Sequence, residues 1–142
     1  MNVIYVETSA LLSWLFGESQ GEKVIRRINK ADTILTSVVT FIEVERAIIR
    51  AERLKILNVA QSQKLRGILA KVQTGFLIME LSEEVRKRAI ESFPIEPLRT
   101  LDAIHLATAV VFSKAYETLQ IVSFDKRIIS NAKVMGLTDS NV

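Results

Sequence analysis

Short, wholly apolar runs alternate with longer amphipathic segments along the chain, and this alternation restricts the fold more than any other feature. Residues 3–6 read Val-Ile-Tyr-Val, and such a run without polar positions is typical of a strand buried on both faces. Further strands are predicted at 33–36, 76–79 and 119–123. The helical spacing of apolar residues predicts about seven helices, at 10–16, 20–30, 40–55, 59–73, 82–92, 100–111 and 125–135.

Strands that alternate with helices predict an α/β fold with a short, mostly parallel central sheet of four or five strands, the fifth following Leu137. No repeat, linker or low-complexity tract divides the sequence, so residues 1–142 are expected to form a single domain. Sheets of this kind bind ligands at the carboxyl ends of their strands, where the strand order reverses. The functional residues are therefore expected at that edge.

The composition excludes several classes of site. The chain has no cysteine, which rules out disulfides, zinc–thiolate sites, iron–sulfur clusters and thiol nucleophiles, and a reducing, cytoplasmic location is expected. Residues 3–16 are not expected to be a targeting signal, because Glu7 interrupts them and no basic segment precedes them. No uninterrupted apolar run approaches the ~20 residues that span a bilayer, so no membrane association is expected. The formal net charge of +3 favours an anionic partner only mildly.

Four carboxylates are predicted to meet at the ligand-binding edge of the sheet. Glu7 directly follows the first strand and Asp125 the fourth, whereas Glu43 and Asp102 lie in the first turns of helices. Three of them also have a structural explanation. Thr40-x-x-Glu43 matches a capping box, Asp102 suits the helix dipole, and Asp125 suits a helix N-cap. Glu7 differs from these three, because a carboxylate at the end of a buried strand is costly without a partner, which favours a functional role.

The four carboxylates together predict a metal site. Converging carboxylates repel one another and raise each other's pKa unless a cation neutralises them. Oxygen ligands without cysteine favour magnesium or manganese, and a single histidine cannot build the usual zinc site. Such an ion lowers the pKa of bound water and stabilises negative charge on phosphate oxygens. The predicted site therefore suits phosphodiester hydrolysis.

Four stretches of the sequence resemble the acidic motifs of PIN domains, in the same order and spacing over nearly the whole chain. They are Val6-Glu7-Thr8-Ser9-Ala10-Leu11, Thr40-x-x-Glu43, Leu101-Asp102-Ala103-Ile104-His105-Leu106-Ala107-Thr108-Ala109 and Ser123-Phe124-Asp125-Lys126-Arg127. The third stretch is similar to VapC-type toxins in particular. The resemblance implies a PIN-like fold and a magnesium-dependent endoribonuclease that cuts RNA. It further implies the toxin of a type II toxin–antitoxin module, a homodimer held inactive by a VapB-type antitoxin.

The resemblance also implies roles for individual residues. Four acids take the catalytic positions, namely Glu7, Glu43, Asp102 and Asp125. The metal is expected on Glu7, Asp102 and Asp125, with Mg²⁺ or Mn²⁺ as the ion. Ser9 takes the polar position beside the first acid, and Thr8 is its neighbour in the motif. The family usually carries Asp where this chain has Glu7, and the extra methylene is expected to shift the ion or to set the backbone farther from it.

Basic residues near the predicted site are candidates for contacting the substrate. Arg99 stands at the mouth of the helix that carries Asp102, and a similar argument applies to Lys126 and Arg127. His105 follows Asp102 by one helical turn, but we interpret it as a buried, hydrogen-bonded packing residue.

Two other functions are compatible with the sequence. A catalytically silent PIN-like module that binds RNA or protein would account for Glu7, and an RNA-processing nuclease without an antitoxin would use the same acids. A receiver-type phosphorylation domain is not supported, because it needs an acidic pair after the first strand and Glu7 has no acidic neighbour. Turnover of RNA separates the nuclease from the silent module.

Overall fold

The computed structural model describes residues 1–138, which form a four-stranded parallel sheet with seven helices packed on its two faces. The strands are β1 (Val3–Val6), β2 (Thr33–Ser37), β3 (Leu77–Met79) and β4 (Gln120–Val122). The helices are α1 (Thr8–Leu15), α2 (Gly21–Lys30), α3 (Val38–Arg53), α4 (Val59–Gly75), α5 (Glu83–Ala89), α6 (Thr100–Ser113) and α7 (Lys126–Val134). The predicted α/β fold with a parallel sheet is confirmed.

The strand order is β3-β2-β1-β4, so the chain adds strands on one side of β1 before it crosses to the other side. β1 pairs with β2 through Val3 and Thr33, and with β4 through Val6 and Val122. The order reverses between β1 and β4, and such a reversal leaves a crevice at the carboxyl ends of parallel strands. The Glu7 backbone N–H donates to the carbonyl of Val122 at 3.0 Å, which places Glu7 in this crevice.

The side chains of β1 pack alternately into two hydrophobic cores, one on each face of the sheet. Val3 and Tyr5 belong to the core formed with α5, α6 and α7, whereas Ile4 and Val6 belong to the core formed with α1, α3 and α4. All four residues are at most 2% exposed. Burial on both faces explains why this strand carries no charged residue until it ends at Glu7.

Side-chain caps shift two helix starts from the predicted positions. α1 begins at Thr8 rather than residue 10, because the Glu7 side chain accepts a backbone N–H in the first turn. α3 begins at Val38 rather than residue 40, and Ser37 is its N-cap. The capping box expected for Thr40-x-x-Glu43 is therefore wrong, and the Glu43 side chain is directed to other partners.

The remaining differences concern the second half of the chain. Arg99 is the N-cap of α6, which continues to Ser113 rather than ending at residue 111. Within residues 1–138 there is no fifth strand, although the Ile121 N–H donates to the carbonyl of Leu137 at 2.6 Å. Residues 139–142, where that strand would continue, lie outside the described residues. No helix in the described part of the chain is long and apolar enough to cross a membrane.

Gly21 is the position where the packing of α1 against α2 leaves no room for a side chain. A Cβ there would lie 2.7 Å from the carbonyl oxygen of Ser13 and 2.8 Å from the Cα of Trp14. These are backbone atoms that cannot give way unless α1 moves. We expect Gly21→Ala to lower the free energy of unfolding by about 1–3 kcal/mol, as measured by urea denaturation.

Gly67 in α4 provides the matched control. A Cβ at this exposed position meets no atom within 4 Å, so Gly67→Ala is expected to raise the free energy of unfolding by about 0.5–1 kcal/mol through helix propensity. If Gly21→Ala is also stabilising, the close approach of α1 and α2 described here is contradicted.

Candidate active site

The four predicted acids line one cavity of about 440 Å³ at the carboxyl ends of β1 and β4. Its polar lining consists of Glu7, Thr8, Ser9, Glu43, Arg99, Thr100, Asp102, His105 and Asp125. Each acid arrives from a different element: one ends β1, one lies on α3, one on α6, and one precedes α7. The structure thus brings together the acids that the sequence places at this edge.

Glu7 is buried, with 5% of its surface exposed, and is held entirely by hydroxyl and backbone donors. Its Oε1 accepts from the hydroxyls of Ser9 and Ser123, each at 2.5 Å. Its Oε2 accepts from the Ser9 backbone N–H at 3.1 Å. The carboxylate therefore joins the first turn of α1 to the end of β4. Ser9 occupies the position beside the first acid that the sequence predicts for it.

A chain of hydrogen bonds runs from Tyr5 in β1 through His105 in α6 to Glu43 in α3. The Tyr5 hydroxyl lies 2.7 Å from Nδ1 of His105, and Nε2 of His105 lies 2.7 Å from Oε1 of Glu43. Thr8 donates its hydroxyl to the same Glu43 oxygen at 2.6 Å. Because a carboxylate only accepts, Nε2 of His105 donates to Glu43, and in this tautomer Nδ1 accepts the Tyr5 hydroxyl. The interpretation of His105 as a buried, hydrogen-bonded residue is confirmed.

Burial, nearby charges and hydrogen bonds together shift the pKa values at both ends of this chain of bonds. Burial alone raises the pKa of Glu43, but the hydrogen bonds from His105 and Thr8 outweigh it and hold that pKa below its ordinary value. Burial, together with the charges of Glu7 and Glu43, raises the pKa of the Tyr5 hydroxyl far above its usual range. Tyr5 thus stays protonated, and Glu43, which lines the cavity, is held in its charged form.

Arg99 bridges the other two acids. Its Nε and Nη2 donate to the two oxygens of Asp102 at 3.0 and 3.1 Å, and Nη2 also donates to Asp125 at 2.8 Å. The second oxygen of Asp125 accepts the backbone N–H groups of Arg127 and Ile128, so the N-cap explanation of Asp125 is confirmed. Asp102 also accepts the backbone N–H of Arg99, as expected for an acid in a first turn. Both aspartates therefore combine a helix-capping contact with a place in the cavity.

The four acids suit a hard divalent cation by their chemistry, but the arrangement observed does not group them around an ion. All four acids supply oxygen, and Arg99 is the one arginine or lysine whose side chain lines the cavity within the described residues. In the arrangement observed, no three acidic or histidine side chains of residues 1–138 are grouped as metal ligands. The reason is visible in the contacts: serine hydroxyls hold Glu7, and Arg99 holds the two aspartates. In the arrangement observed, protein donors therefore engage oxygens of all four acids.

The other predicted substrate contacts lie outside the cavity. Lys126 and Arg127 open α7 directly after Asp125, and both are exposed, but neither lines the acidic cavity. Sequence reasoning missed Ser123, which bonds Glu7 from the end of β4. The signal that could have identified it is its place at the end of a buried strand, two residues before an acid.

Comparison with known proteins identifies the family. The sequence model of the PIN domain family matches residues 4–134. The chain belongs to the PIN domain family. Ribonuclease VapC35 of Mycobacterium tuberculosis is 30% identical to this PIN domain over 137 residues, which cover 95% of this chain and 93% of the relative. Ribonuclease VapC47 of the same species is 27% identical over 143 aligned positions, covering 98% and 96% of the two chains.

A solved structure extends the comparison to the fold. A chain of a toxin–antitoxin complex from Klebsiella pneumoniae superposes on this PIN domain with a TM-score of 0.64, covering 98% of both chains at 17% identity. At that identity the likeness concerns the fold alone. The PIN-like architecture expected from the motifs is confirmed.

Proposed function

We propose that this PIN domain is a metal-dependent endoribonuclease and the toxin of a type II toxin–antitoxin module. The observation that carries the proposal is the meeting of Glu7, Glu43, Asp102 and Asp125 in one cavity where the strand order reverses. The ribonuclease names of two relatives aligned over nearly their whole length support the activity. The toxin–antitoxin complex with the same fold supports a VapB-type antitoxin as partner, and a homodimer is part of the proposal.

In the proposed reaction the acids divide into two groups. Glu7, Asp102 and Asp125 would hold magnesium or manganese, and the bound ion would acidify a water molecule and stabilise charge on the scissile phosphate. Glu43 would orient the attacking water and accept its proton at Oε2, since Oε1 already accepts from His105 and Thr8. The lowered pKa of Glu43 keeps this oxygen unprotonated before attack.

Arg99 and the residues at the start of α7 would contact the RNA. The guanidinium group of Arg99 is a planar fork that matches two phosphate oxygens, and it lies beside the two aspartates. Lys126 and Arg127 are exposed next to Asp125, where they would attract the flanking phosphates.

A catalytically silent RNA- or protein-binding module is the second candidate, and Glu7 is the observation that favours it. Its carboxylate accepts hydrogen bonds from both Ser9 and Ser123, so protein donors already satisfy it. An RNA-processing nuclease without an antitoxin would differ from the first proposal in its partner but not in its chemistry.

Cleavage of RNA that depends on a divalent metal tests the proposal. Purified protein is incubated with mixed single-stranded RNA in Mg²⁺, Mn²⁺ or EDTA, and Asp102→Asn protein purified in parallel controls for contaminating nucleases. We expect cleavage with either metal and none in EDTA, because the acids need the ion to produce hydroxide near neutral pH. Well-folded wild-type protein that binds RNA and leaves it intact under both metals would establish the silent module instead.

A further inference from the structure

The contacts of Arg99 occupy the aspartate pair almost completely. Three of the four carboxylate oxygens of Asp102 and Asp125 accept a hydrogen bond from Arg99, at 2.8–3.1 Å. The fourth oxygen accepts the backbone N–H groups at the start of α7. A metal ion that approaches these two aspartates therefore meets oxygens that are already engaged by a positive charge.

We propose that Arg99 is an internal counter-cation: it neutralises Asp102 and Asp125 in the metal-free protein and must leave them before a divalent ion can bind there. The inference rests on the metal site of the proposed function and concerns how that site is loaded. Arg99 thus opposes metal binding while RNA is absent, and it reaches a substrate phosphate only once the ion has displaced it.

The structure shows which partner can move. The Arg99 side chain is 63% exposed, whereas those of Asp102 and Asp125 are 5% and 22% exposed. The two aspartates are fixed at the starts of α6 and α7 by their bonds to backbone N–H groups. The guanidinium group can therefore swing into solvent without opening the core, and the acids remain in place to receive the ion.

Coulomb attraction favours the divalent ion over the guanidinium group at the aspartate pair. A divalent ion between two carboxylates gains roughly twice the Coulomb attraction that a guanidinium group gains at the same distance. The ion and the guanidinium group repel each other, so the guanidinium group opposes an ion at the same pair. After displacement, Arg99 is still the N-cap residue of α6 and therefore remains beside the cavity. Its planar guanidinium group can there donate two hydrogen bonds to a phosphate. Arg99 thus opposes binding of the metal ion and favours binding of the substrate phosphate.

Metal binding without RNA tests the inference. We expect Arg99→Gln to bind Mn²⁺ about 3- to 10-fold more tightly than the wild type by isothermal titration calorimetry, because no guanidinium group has to be displaced from a partly exposed pair. Mn²⁺ should also raise the Tm of Arg99→Gln more than that of the wild type. In RNA cleavage the variant should need less Mn²⁺ for its half-maximal rate but reach a lower maximal rate.

Two further variants make the result specific. Arg53→Gln removes an exposed arginine at the end of α3 and should leave the Mn²⁺ Kd unchanged, which controls for net charge. Arg99→Lys keeps the positive charge but lacks the planar guanidinium group. Its Mn²⁺ Kd should therefore fall between those of the wild type and Arg99→Gln.

Each other outcome overturns the inference in a distinct way. Equal Mn²⁺ affinity in the wild type and Arg99→Gln would show that Arg99 does not oppose metal binding at Asp102 and Asp125. The metal site of the proposed function would be unaffected by this result. An equal decrease in the Mn²⁺ Kd of Arg53→Gln would show that the effect arises from net charge alone. A failure of all the proteins to bind Mn²⁺ would remove the metal site of the proposed function together with the inference.

Discussion

Asp102→Asn is expected to lower the kcat/KM for RNA cleavage by about 100-fold or more, because a metal acting on the phosphate contributes several kcal/mol to the transition state. The substitution replaces a carboxylate that is 4% exposed with a neutral amide of the same shape. The fold should survive, since the amide oxygen can still accept the backbone N–H of Arg99. Kinetics at fixed Mg²⁺ and a thermal melt of the same preparation separate the two effects.

Asp32→Asn is the matched control for this prediction. Asp32 lies just before β2, at the opposite edge of the sheet, and accepts the backbone N–H of Asn2 at 2.6 Å. The chemical change is identical, but the residue does not line the acidic cavity. Wild-type kinetics for Asp32→Asn, with a large loss for Asp102→Asn, would assign the effect to the cavity. A folded Asp102→Asn protein that still cuts RNA at the wild-type rate would contradict the proposed site.

The sheet and the position of the site could be predicted from the sequence because they depend on local patterns. The apolar run Val3–Val6 predicts a strand that is buried on both faces of the sheet, and Glu7 marks its end. The rule that ligands bind at the carboxyl edge then places four acids of distant sequence positions in one region. Neither step needs knowledge of side-chain contacts, and both agree with the structure.

Helix starts were predicted less accurately, because they depend on which of several candidate side chains caps the helix. Thr40-x-x-Glu43 has the composition of a capping box, yet Ser37 caps α3 one turn earlier. The Thr40 hydroxyl accepts that of Thr36 inside the core at 2.8 Å instead. A capping motif in a sequence gives the residues that could cap a helix, and the end of the preceding strand decides which of them does.

The partners of the acids could not be read from the sequence, because most of them are distant in the chain. Ser123 bonds Glu7 across 116 positions, and Arg99 bonds Asp125 across 26. Sequence reasoning assigned Arg99 to the substrate because of its place beside the Asp102 helix. Its bridge to a second aspartate depends on how α6 and α7 pack, which only tertiary structure supplies.

The prediction with the largest expected effect on stability concerns His105. We expect His105→Ala to lower the free energy of unfolding by about 3–4 kcal/mol, which combines a buried cavity with an unsatisfied polar group. The imidazole is 2% exposed and is the hydrogen-bond partner of the fully buried Tyr5 hydroxyl. Glu43 contributes less to the loss, because it keeps its bond from Thr8 and is only half-buried.

A double-mutant cycle with Tyr5→Phe isolates the hydrogen bond from the cavity. Tyr5→Phe alone should lower the free energy of unfolding by about 1–2 kcal/mol, because it removes the hydroxyl donor and leaves Nδ1 of His105 buried without a partner. In the double variant no hydroxyl is left unsatisfied, so its loss should be smaller than the sum of the two single losses by about 1 kcal/mol or more. Urea denaturation of the four proteins gives each free energy of unfolding. Strictly additive losses would show that the Tyr5–His105 bond contributes nothing, and that His105 stabilises the fold by packing alone.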